Sequence, residues 1–142
     1  MLSSDPILRL TLPFQMLWAV LISASNIYGI AMINSGQAAP FPKSSTFGLV
    51  LFAAIAFALF DFLRRWPLAF TSTTAAVAFV SGGILFKLLI GDPAFWPTAS
   101  WGYAALAVNL VGLVAALIAL ARIGQLRLAH GRPFGEEATG SR

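Results

Sequence analysis

Few side chains in this sequence carry charge or acid–base chemistry, and most of those stand beside or inside long apolar runs. Asp61 lies in DFLRRW, three and four residues ahead of Arg64 and Arg65. On a helix those spacings let it pair with either arginine. A carboxylate inside a membrane segment is nevertheless the first suspect for carrying a proton or an ion. Lys87 interrupts GGILFKLLIGD. As a buried cation it would need a counter-charge, and Asp92 is close in sequence; Asp61 falls at the opposite end of its own helix, too far in depth to serve. As a helix-end lysine it would extend its stem and keep its ammonium in water. Helical spacing turns Lys87 about 180° from Thr74, Ala78, Ser81 and Gly82 and places it near the end of its run, so the second behaviour is expected.

Three amides, Gln15, Asn26 and Asn109, sit within apolar segments. They could line a polar path for a solute. The plainer role is interhelical glue, worth about 0.6 kcal/mol and at most about 1–2 kcal/mol per hydrogen bond. His130 is the only histidine and there is no cysteine. A haem held inside a bundle needs histidines there, and a zinc site needs more ligands than His130 with Glu136 and Glu137. No cofactor or metal is therefore expected. Ser81 and Lys87, six residues apart, project from different faces and make a poor Ser–Lys dyad. No paired-carboxylate motif, phosphate-binding glycine loop or GxSxG elbow occurs, so a non-enzymatic role is expected.

The segments that must position these groups are apolar. Of 142 residues 58% are hydrophobic and 10% charged, against roughly 25% charged in soluble domains. Four runs are long enough to span a bilayer, each necessarily helical because hydrocarbon offers the backbone no other partners. They fall at about 12–33, 45–63, 67–91 and 100–121, the last extending as far as 130 before Gly131 and Pro133. Thr11 and Pro13 are read as the opening of the first run. That run is longer than a signal-peptide core, and Pro40 falls where cleavage would be needed, so it is expected to be retained. The short RRWP link makes the second and third runs antiparallel neighbours. Residues 1–142 thus form a single transmembrane domain, with a polar, glycine-rich tail at 131–142.

Orientation follows the basic residues. Arg9, Arg64, Arg65, Arg122, Arg127, Arg132 and Arg142 share one side of a four-span topology, and Lys43 lies on the other. The positive-inside rule then places both termini in the cytoplasm and suggests a bacterial inner membrane. Trp66 marks the inner interface; Phe95, Trp96, Trp101 and Tyr103 mark the outer one. The net charge of +4 belongs to this topology rather than to nucleic-acid binding. Arg122, Arg127 and Arg132 are placed to meet anionic lipid headgroups.

Small residues recur at helical spacing: Ala105, Asn109, Gly112, Ala116 and Ala119 on the fourth run, Thr74, Ala78, Ser81 and Gly82 on the third, Gln15, Ala19, Ile22 and Asn26 on the first. Such stripes let helix backbones approach closely in lipid and should turn inward. The expected fold is an all-α, integral membrane four-helix bundle with both termini cytoplasmic. The expected function is that of an accessory or assembly subunit, or a lipid-contacting scaffold, with lipids and a larger membrane protein or further copies of itself as partners. The alternative is a small oligomeric transporter or channel, which would draw on Asp61, Lys87, Asn26 and Asn109.

Overall fold

A computed structural model describes residues 2–39, 44–90 and 98–130. The described residues form a short 3-10 turn at Leu2–Ser4 and four helices: α1 (Pro6–Asn34), α2 (Thr46–Arg65), α3 (Pro67–Ile90) and α4 (Ala99–His130). Three of them, α1, α3 and α4, contain stretches long and apolar enough to cross a membrane; the described apolar stretch of α2, Thr46–Leu59, is shorter. Residues 131–142, the expected tail, lie outside the described residues, as do Asp92, Phe95 and Trp96.

Each helix packs on its neighbours in sequence, and α1 also packs on α4, so the four close into a ring with α1 diagonal to α3. The α2–α3 seam is the least extensive. Only Trp66 separates α2 from α3. Such a tight link forces the chain to reverse, and antiparallel neighbours follow.

The first helix starts at Pro6, earlier than the expected opening near Leu12. Asp5 accounts for this: its Oδ1 accepts from the backbone N–H of Ile7 at 3.0 Å and of Leu8 at 3.1 Å, capping the helix ahead of Pro6. Proline suits the first helical position because its absent N–H is not missed there. Thr11 and Pro13 are consequently interior. The Thr11 hydroxyl donates to the carbonyl of Leu8, and Pro13 sits inside the helix, a placement that membrane helices tolerate when neighbours and hydroxyls satisfy the freed groups. The fourth helix runs through to His130, the longer of its two expected ends.

The interior contains Trp18, Ala19, Ile22, Leu59, Phe70, Val77, Ala116, Ala119 and Ile123. All five stripe positions of α4 are buried, as are Gln15, Ala19, Ile22 and Asn26 of α1 and Thr74 and Ser81 of α3, with Ala78 and Gly82 half-buried. The outer surface carries large apolar side chains instead, including Phe79 at 84% exposure, Phe47 at 77% and Phe57 at 75%. Large apolar side chains thus cover the outside as well as filling the core, unlike a protein folded in water.

Candidate functional site

The buried polar groups form a ladder along the inner faces of the helices, and its rungs are best taken from one end. At the end where α1 starts and α4 finishes, Arg122 reaches Asp5. Its Nε and Nη2 each approach Asp5 Oδ2 at 2.9 Å, and its Nη1 donates to Gln125 Oε1 at 3.2 Å. Asp5 is buried while Arg122 keeps 31% of its side chain exposed. Burial alone pushes the Asp5 carboxyl up. The backbone amide of Leu8, the Arg122 guanidinium and the amide of Ile7 outweigh that push and hold it below the ordinary carboxylate value. Arg122, expected with Arg127 and Arg132 to meet lipid headgroups, bonds Asp5 and Gln125 and stays partly exposed. Arg127 is exposed, and Arg132 lies outside the described residues.

Further along the same seam, Trp18 Nε1 donates to Asn109 Oδ1 at 3.1 Å, with both side chains fully buried. Asn109 turns its own Nδ2 to the carbonyl of Ala105 at 2.8 Å. The Trp18 ring meets the edge of Phe52 from α2 at 5.7 Å between centroids. Gly112 makes room for the indole: a Cβ there would stand 2.5 Å from Trp18 Cγ and 2.9 Å from Nε1. Asp5–Arg122 and Trp18–Asn109 are separated by equal lengths of α1 and α4, so the two helices run antiparallel in one register between them. Beyond it Tyr28 lies against Trp101 at 5.9 Å.

The α1–α2 seam carries the third amide. Asn26 Nδ2 donates to the carbonyl of Ile22 at 3.0 Å, and its Oδ1 accepts the backbone N–H of Ser45 at 3.2 Å. Ser45 Oγ accepts from Gly48 N at 3.1 Å, closing the start of α2. Two glycines permit this approach: a Cβ on Gly48 would meet Asn26 Oδ1 at 3.0 Å, and one on Gly29 would meet Ser44 Cβ at 2.5 Å.

Gln15 is different. It is fully buried, and neither its Nε2 nor its Oε1 has a hydrogen-bond partner among the described residues; the same holds for the buried hydroxyl of Thr74. Lys87 is exposed in the last turn of α3. The backbone of Asp61 belongs to α2, and its side chain lies outside the described residues. The structure therefore brings Asn109 together with Trp18 and Asn26 together with Ser45, encloses Gln15 and leaves Lys87 outside the core. Among the described residues no group of three or more histidine, cysteine, aspartate or glutamate side chains is placed to hold a metal.

Two participants escape a reading by residue type. Trp18 looks like one more apolar residue, although its position three after Gln15 places it on the amide face. Asp5 precedes a proline, which is a start signal for a helix.

No protein-family model matches the chain, and comparisons with curated proteins and with solved structures found no match. Function must therefore be argued from this chain's own residues.

Proposed function

We propose that this chain is a non-enzymatic, multi-pass membrane protein that serves as an accessory or assembly subunit of a larger membrane complex, or as its lipid-contacting scaffold. One observation carries the reading: many large apolar side chains, Phe47, Phe57, Phe79 and Leu128 among them, face outward while Gln15, Asn26, Thr74, Ser81 and Asn109 face inward. The amides of Asn26 and Asn109 are spent on holding helices together, which is what a scaffold requires and what a solute path does not. Both termini lie in the cytoplasm of a bacterial inner membrane, because all the basic residues but Lys43 and Lys87 fall on that side.

Native mass spectrometry of the chain gently extracted from its own membrane tests the subunit role. A stoichiometric larger partner is expected; copies of this chain alone would point to the second reading below, and a monomer with no partner would refute the subunit role. The absence of cysteine makes topology simple to check. Single cysteines at Ser4 and Ala129 should resist a membrane-impermeant maleimide in intact cells, and one at Ser35 should react.

The second reading, a small oligomeric transporter or channel, is favoured by the unpaired amide of Gln15. It requires Asp61→Asn or Gln15→Leu to abolish solute flux in proteoliposomes while the bundle stays folded.

A further inference from the structure

Several buried or half-buried polar side chains in the bundle spend a donor on a carbonyl one turn back. Ser23 bonds Ala19, Asn26 bonds Ile22, Ser81 bonds Val77 and Asn109 bonds Ala105. Gln15 and Thr74 depart from this habit, leaving three enclosed polar atoms without a partner among the described residues. Both residues are fully buried. They belong to α1 and α3, the diagonal pair of the ring, and both are enclosed in its interior. Small side chains share that interior, with Ala19, Ala116 and Ala119 fully buried and Ala56 and Ala78 packed against it, beside the larger Trp18, Leu59 and Phe70.

We propose that the interior of the bundle holds bound water, with Gln15 and Thr74 as its two protein anchors. A primary amide left dry and unpaired is costly, and buried water typically makes about three hydrogen bonds to groups of this kind. The anchors decide the chemical class of the guest. They offer dipoles and no charge, since the described charged side chains lie at the bundle's end, as with Asp5 and Arg122, or on its outside, as with Lys87. An ion would arrive uncompensated, whereas a neutral molecule that both donates and accepts matches the amide. The inference is independent of any larger complex, because it needs only the folded bundle.

Solid-state NMR of the full chain in phosphatidylcholine bilayers, with its glutamines labelled with nitrogen-15, tests it directly. Magnetisation started on water protons is followed to the side-chain amides. Gln37 and Gln125, the other glutamines, serve as controls, and Gln15→Leu identifies the Gln15 signal. Transfer from water to Gln15 Nε2 is expected despite the residue's burial. Absence of that transfer while Gln37 and Gln125 show it would overturn the proposal, as would a correlation to a second copy of the chain in a mixed-label sample. Thr74→Val keeps the shape and removes the hydroxyl, so transfer to Gln15 should fall by about twofold or more if the water is shared. Undiminished transfer in Thr74→Val would overturn the shared site.

Discussion

Replacing Gly112 with alanine places a methyl group where the Trp18 indole lies. The new Cβ would stand 2.5 Å from Trp18 Cγ, against the roughly 3.5–4.0 Å that two carbons prefer, so the ring must retreat by about 1 Å. Phe52 blocks one direction and the hydrogen bond to Asn109 fixes another. Overpacking of this kind costs about 1–3 kcal/mol. Pulling Nε1 away from Asn109 Oδ1 leaves two enclosed polar groups unpaired, for about 1–3 kcal/mol more. The better helix propensity of alanine returns up to about 1 kcal/mol. The net expectation is a destabilisation of about 3 kcal/mol, read from reversible unfolding in lipid–detergent mixtures. A double-mutant cycle with Trp18→Ala isolates the cause. In that background the ring and its hydrogen bond are both gone, so Gly112→Ala should become neutral or stabilising by up to about 1 kcal/mol. An equal penalty in both backgrounds would refute the assignment of Gly112 to the indole.

The other predictions use the same logic elsewhere. Because the folded Asp5 carboxyl titrates below its ordinary value, its contribution is fully present above the unfolded aspartate pKa and is lost as pH falls through the lower folded value. Asp5→Asn should keep the cap, lower stability at neutral pH by about 1 kcal/mol and flatten that acid-side slope in pH-dependent melts; an unchanged slope would remove Asp5 from it. Asn26→Leu strips the partner from the Ser45 N–H and should cost about 1–3 kcal/mol, with the start of α2 losing hydrogen-exchange protection first. Lys87→Gln should change stability by less than about 0.5 kcal/mol, since the side chain is exposed. Lys87 itself should react with a polar amine reagent in reconstituted vesicles, and protection would point to a buried cation.

The inward faces were legible because 3.6-residue spacing assigns a residue to a side of its own helix without any knowledge of the partner. Gln15, Asn26 and Asn109 were found that way. What each amide touches was not legible, because it depends on which helices adjoin. The single residue linking α2 to α3 makes those two neighbours, but nothing so local joins α1 to α4. That Asn109 would meet Trp18, and Arg122 would meet Asp5, could not be read from either helix alone. The start of α1 was misplaced because Pro13 was taken as the opening, although Asp5 and Pro6 carry the stronger capping signal.

The seam between α1 and α4 also bears on how the protein is made. Trp18 waits for a partner 91 residues downstream, and Asp5 for one 117 residues downstream. At about 5–20 residues per second, the indole N–H stays without Asn109 for about 5–20 s after its own synthesis. During that interval the Trp18 indole and the Asp5 carboxylate lack their partners, and α4 completes the ring only once it is made. A chain stopped after α3 would leave the α4-facing side of α1 open, the feature that separates an unfinished copy from a finished one.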